Sequence, residues 1–203
     1  FFDQWVHNPG HPDLKVSYDW MPHEKLAKIS VEQLQAAAVA KGKEKDPAIN
    51  AADPPLFDLP LTLRFVGPDF VVDRDVMVNK KMQDFYVPLP EKPDVVRFDA
   101  RTQVLGSIDF DKPNEMLYAQ LQLQDDVVGR LLAADALNDK DDQRSIDALQ
   151  TALQGDPFFG VRRQAAQALA DIGTPKALAA LIASREQADA RVRRQVVRAI
   201  GSY

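Results

Sequence analysis

No cysteine occurs among the 203 residues, so disulfides, thiolate metal sites and thiol nucleophiles are excluded, and cysteine usage carries no information about compartment. Positive charge is in deficit, with 25 Lys+Arg against 30 Asp+Glu. The resulting formal charge of −5 argues against a general nucleic-acid binder or a membrane-surface module. Long apolar runs are also missing, so no membrane span is expected in these residues. Nor is there a basic stretch leading into an apolar one, and none of these residues reads as a signal peptide. The chain opens on FFDQWV, which reads as the last turn of a helix, and the whole is expected to be a piece of a longer protein. The length suits one large domain or two modest ones, each able to bury a core.

What is present divides in two. Twelve of the 14 prolines fall in residues 1–113, whereas alanine rises from 9 in that half to 17 in residues 114–203. Proline breaks helix interiors and alanine is the best helix former, so a strand-rich half precedes a helix-rich one. Period-two alternation marks Leu14, Val16, Tyr18 and Trp20, then Ala27, Ile29 and Val31, then Phe57, Leu59, Leu61, Leu63 and Phe65. Further strands are expected over Phe70–Val78, Met82–Val87, Val95–Phe98 and Gln103–Ser107, making an antiparallel sandwich of about seven strands. Residues 36–55, rich in Ala, Lys and Pro, read as an exposed loop.

The second half repeats. VGRLLAADAL, VRRQAAQAL and VRRQVVRAI align at spacings of 32 and 31 residues, superposing Arg130, Arg162 and Arg193. Ile146, Ala148 and Leu149 likewise fall 32 residues before Leu178, Ala180 and Leu181. Two helices at this period indicate a helical solenoid. Asp156-Pro157 and Thr174-Pro175 read as N-caps before a first-turn proline, and Gly155, Gly173 and Gly201 as helix ends. On this reading the solenoid stops after the first helix of a third repeat.

Chemistry-bearing patterns are sparse. His7, His11 and Glu24 are the nearest approach to a metal set, but Pro9-Gly10 breaks the helix that would align the two histidines, and they read as surface residues. No Ser–His pairing, Gly-rich phosphate loop or nucleophile elbow is visible, so neither catalytic nor metal residues are assigned. Charge is polarised: residues 111–156 hold 10 acidic and 4 basic side chains, residues 157–203 hold 3 and 8. Helical periodicity puts Val161, Ala165, Ala168, Leu169 and Ile172 on the apolar stripe. Arg163, Gln164 and Gln167 then point outward, with Arg194, Gln195 and Arg198 as their counterparts. Arg163, Arg191, Arg194 and Arg198 are candidates for binding a substrate carboxylate or an acidic partner. Arg130, Arg162 and Arg193 flank the stripe and read as a structural ladder between stacked repeats, pairing with Asp or with helix C-terminal carbonyls.

With these residues on the page, a resemblance can be stated. FFDQWVHNPGHPDLKVSYDW resembles the junction of the gluzincin zinc aminopeptidases of the aminopeptidase N type, where the last catalytic-domain helix meets a β-sandwich through a Gly-x-Pro turn (here Gly10, His11, Pro12). FDLPLTLRF is similar to the family's central sandwich strand, FYVPLPEKPDVVRFDARTQVL to its closing strands, and the VRR repeats to its HEAT-like repeats. The resemblance implies an α+β fold in two modules: residues 1–12 a remnant of the catalytic domain, 13–110 an Ig/fibronectin-like antiparallel sandwich, and 111–203 a HEAT-like solenoid. It implies a parent that removes N-terminal residues from peptides with a zinc ion held by HExxH and a distant Glu. None of those motifs occurs here. The expected role is therefore that of an accessory fragment, inactive alone, serving as spacer and helical cap. Its expected partners are the catalytic domain and peptide C-termini, not nucleic acid, with zinc as cofactor only in the parent. The alternative is a free-standing HEAT-repeat interaction scaffold. The apolar end formed by Phe1, Phe2, Trp5 and Val6 is expected to pack onto the sandwich or a neighbouring molecule.

Overall fold

The computed structural model describes Trp5, residues 11–35 and residues 56–203. The chain separates into two compact units, Phe1–Lys112 and Pro113–Tyr203. The expected loop over residues 36–55 lies outside the described residues, as do Phe1, Phe2, Val6, His7 and Gly10.

In the first unit, β1 (Asp13–Met21) and β2 (Leu26–Gln33) form a hairpin. β3 (Leu59–Val66), β4 (Val71–Val78), β5 (Met82–Pro88), β6 (Val95–Arg97) and β7 (Ser107–Phe110) follow. One sheet has the order β5-β2-β1-β7 and the other β4-β3-β6. The alternating residues supply the core: Leu14, Val16, Ala27, Ile29, Val31, Leu59, Leu61, Leu63 and Phe65 are all buried. Their opposite faces are tied by polar cross-strand pairs. Arg64 forks onto Asp73 with both bonds at 2.7 Å, and Lys28 lies 3.0 Å from Asp84.

Two features depart from the expected sandwich. The last strand is Ser107–Phe110 rather than Gln103–Ser107, and it runs parallel to β1, pairing Asp13 with Ser107. Residues 99–106 are held as a loop instead. Asp99 and Thr102 adopt positive φ, and the Asp99 carboxylate accepts the backbone N–H groups of Gln103 and Val104. A Cβ on Gly106 would lie 2.3 Å from the Pro12 carbonyl oxygen, so only glycine lets β7 come up beside β1. Buried Gln33 completes the unit by donating to the Phe57 carbonyl and accepting the Phe57 N–H, both at 2.9 Å. Trp5 packs its ring 5.3 Å from that of Phe57.

The second unit holds six helices: α1 (Asn114–Leu121), α2 (Val127–Ala136), α3 (Gln143–Gly155), α4 (Phe159–Ile172), α5 (Pro175–Ala183) and α6 (Ala190–Ile200). They make three pairs, with α1, α3 and α5 in one layer and α2, α4 and α6 in the other. The third repeat is therefore complete. The VRR segments are the second helices of their pairs, and short α1 supplies a first helix that sequence alignment of the repeats passes over. Asp126, Asp142, Thr174 and Asp189 cap their helices, and Gly173 ends α4 in the left-handed conformation at φ +66°. The core is built largely of alanine: Ala133, Ala134, Ala165, Ala166, Ala168 and Ala177 are fully buried beside Leu137, Leu149, Leu169 and Leu181.

Candidate functional site

Arg130, Arg162 and Arg193 each occupy the fourth position of their helix. Helical side chains lean toward the N-terminus, so a long one at this position sweeps back over the connection that precedes it. Arg130 donates to the carbonyls of Leu123 and Gln124, both at 2.7 Å. Arg162 donates to those of Asp156 and Pro157, and Arg193 to those of Gln187 at 2.6 Å and Ala188 at 2.9 Å. Each guanidinium thus binds the chain just before its own helix. Arg130 in addition reaches into the next repeat, with Nε 2.7 Å from Asp156 Oδ2 and Nη2 3.3 Å from Oδ1. Both partners are buried. Asp156 is a node: its carboxylate also accepts the Phe158 N–H, and its carbonyl takes Arg162. For that reason it does not cap a helix at Pro157; α4 begins at Phe159 with Phe158 in the cap position.

Further bonds between repeats link the second-layer helices. Gln164 on α4 donates to Asp135 on α2 at 2.7 Å, and Gln195 on α6 donates to Gln167 on α4 at 2.8 Å. These are equivalent positions one repeat apart. The outward placement expected for Gln164, Gln167 and Gln195 is corrected: the first two are half-buried and Gln195 is buried, because the neighbouring helix covers that flank.

The four candidate binding arginines divide. Arg191 forks onto Asp189 at 3.1 and 2.7 Å and lies 3.4 Å over the Phe159 ring, so it joins α6 to α4. Arg163, Arg194 and Arg198 are exposed and make no bond among the described residues. Of the metal candidates, His11 contacts the Pro12 carbonyl, while Glu24 sits in the exposed β1–β2 turn. Among the described residues no three His, Asp or Glu side chains converge on a cation position. The displaced carboxylates have structural causes: hydrogen bonds from Arg64, Ser30, Ser145 and Arg191 hold Asp73, Asp84, Asp142 and Asp189, respectively, below the usual range. Burial, then the Asp19 charge, pushes Tyr18 up to about 12. Two shallow grooves run between first-layer helices. One of about 450 Å³ lies between α1 and α3 beside Tyr118 and Thr151, and one of about 320 Å³ between α3 and α5 beside Gln150 and Lys176. No helix among the described residues is long and apolar enough to cross a membrane.

Comparison with known proteins agrees with this architecture. The family model of HEAT repeats matches residues 114–201, and the helical unit is a HEAT-like domain. No curated protein matches the chain by sequence. Among solved structures, the chain is similar to Legionella pneumophila aminopeptidase A in complex with aspartic acid, at 14% identity and a TM-score of 0.56. That likeness covers 98% of this chain but 22% of the Legionella chain, and at this identity it is a likeness of fold. Human deoxyhypusine hydroxylase in complex with glycerol matches at 25% identity and a TM-score of 0.39, over 44% of this chain and 31% of that one.

Proposed function

We propose that these residues are the accessory, non-catalytic part of a zinc-dependent aminopeptidase, a strand-built spacer followed by a HEAT-like helical cap, inactive alone. The observation that carries the reading is the order of the parts: a Gly-x-Pro junction, two sheets and stacked helix pairs, similar in fold over nearly the whole chain to a section of a bacterial aminopeptidase. Stacked pairs around a continuous core make a stiff wall, which is what a cap over a substrate chamber requires. The zinc and its ligands would belong to the parent's catalytic domain, and the parent would remove N-terminal residues from peptides.

Two measurements test this. The purified chain is expected to take up no stoichiometric zinc and to leave aminoacyl-coumarin substrates intact; uptake with turnover overturns the reading. The coding sequence before Phe1 is expected to contain HExxH followed by a distant Glu. A start codon close to Phe1 would instead favour the free-standing HEAT-repeat scaffold.

A further inference from the structure

The two gaps between first-layer helices end differently. The ends of α3 and α5 are tied together. Gln154 on α3 donates to Ser184 Oγ at 3.1 Å, and Gln187, in the connection after α5, donates at 3.2 Å to the carbonyl of Leu153 in the last turn of α3. One repeat earlier both ties are lost. Arg162 and Arg193 bind the carbonyls of Asp156 and Gln187, each six residues before the arginine, so Asp156 and Gln187 are equivalent. A carboxylate has no donor to offer the last turn of α1, and Asp156 turns to Arg130 instead. Gln122 stands 32 residues before Gln154, and Ala152 stands 32 before Ser184, so the hydroxyl that Gln154 bonds has no counterpart. The side chain of Gln122 makes no bond among the described residues. The ends of α1 and α3 therefore stay apart around the groove of about 450 Å³. The opening has its cause inside the repeats, between two complete helix pairs.

Charge selects the occupant. The C-terminal ends of α1 and α3 both open onto this groove, and neither helix carries a basic side chain in its last turn. Carbonyls at helix C-termini favour cations and N–H donors. Among the described residues no Lys or Arg lines the groove, whereas Lys176 stands on the one between α3 and α5. Residues 111–156 hold 10 acidic and 4 basic side chains, and the basic ones are engaged elsewhere. Arg130 pairs with Asp156, Arg144 with Glu115 and Lys140 with Asp139, while Lys112 lies over the Phe110 ring. Asp125, next to Gln124 on the rim, is exposed and makes no bond among the described residues. The floor, by contrast, is apolar: Leu121, Ala148 and Ala152. An apolar floor leading to a negative end matches a side chain with an aliphatic stem and a cationic head. We propose that the α1–α3 groove binds a basic peptide, with the stem of an arginine or lysine along Leu121, Ala148 and Ala152 and its head at the two helix ends. The inference needs only the helical unit and stands independently of the aminopeptidase reading.

The test is fluorescence anisotropy at low salt, titrating the chain into a labelled peptide, blocked at both ends, that alternates leucine and arginine. Saturable binding is expected, and the counterpart peptide with glutamate for arginine should not bind. Thr151→Lys, which sets a cation on the exposed rim, and Ala148→Phe, which fills the floor, should each weaken affinity about tenfold or more. Lys176→Ala, in the neighbouring groove, should leave it unchanged. Thr151 is exposed, so the melting temperature of Thr151→Lys is expected to hold, and its loss of binding reports on the groove even where Ala148→Phe folds poorly. Absence of saturable binding, equal affinity for the glutamate peptide, or affinity indifferent to Thr151→Lys overturns the proposal. So does dependence on Lys176, which places the peptide in the other groove, or self-association in sedimentation that Thr151→Lys abolishes, which makes a second copy the occupant.

Discussion

The two units solve the same problem with opposite materials. The strand unit fills its interior with bulk: Phe57, Leu59, Leu61, Leu63 and Phe65 on and beside one strand are all buried. The helical unit fills its interior with alanine, which lets helices approach closely, and fastens its connections with long polar side chains. Arg130, Arg162 and Arg193 bind the turns, while Gln164 and Gln195 bind neighbouring helices. A sheet satisfies its backbone in its own ladder, whereas a helix pair leaves carbonyls unpaired at every connection. The difference teaches where each unit is vulnerable: the first in its volume, the second in its polar fastenings.

The largest effects should come from the two buried anchors. Phe65→Ala is expected to cost about 3–5 kcal/mol through transfer and cavity terms. Arg130→Ala should cost a similar ~3–5 kcal/mol, because it strands the buried Asp156 carboxylate. Urea denaturation measures both. The sharper comparison is rescue: joining Arg130→Met to Asp156→Leu should recover much of the Arg130 loss, since apolar replacement of a buried pair is often neutral. Failure of rescue would mean that the carbonyl bonds of Arg130 matter more than its ion pair.

Overpacking should then separate the units. Ala166→Leu places new volume where α6 lies on α4 and is expected to cost about 1–3 kcal/mol by denaturation. A negligible cost would show that the alanine interface yields. Removing the Asp142 cap with Asp142→Ala should cost about 1 kcal/mol at neutral pH. Because Ser145, through its hydroxyl and N–H, depresses the Asp142 carboxyl, the stabilisation is full above the ordinary carboxylate pKa. It is lost as pH falls through the lower folded value, so wild type and variant should begin to converge only as pH drops below about 4. Gln195→Ala, which deletes one bond between repeats, is the smallest change, at about 1 kcal/mol or less.

Much of this architecture is legible in the residues. Alternation located β1, β2 and β3 because one face of each is buried and its neighbours are wet. The VRR period located the stacked helices because Val161 and Val192, at equivalent positions of two repeats, are both fully buried. The outward reading of Gln195 failed for a definable reason. Periodicity reports the stripe a helix buries in its own pair, and it is silent about the second flank covered by the next pair. Arg191 is exposed, and nothing near it in sequence announces its contact with the Phe159 ring. Strand β7 escaped because a parallel partner for β1 arrives from 94 residues away, through a turn organised by Asp99.

By itself, then, the order of residues determined what is local: the strand-then-helix division, the helical repeat, the cap at Thr174 before Pro175, and the left-handed end at Gly173. These depend on steric preferences and on bonds within a few residues. Tertiary structure alone decided which arginines are spent and which are free. Asp156 reaches Arg130 across 26 residues, and Arg191 lies over the Phe159 ring. Both follow from the stacking of whole helices, which sets the environment of a side chain after its own helix has formed.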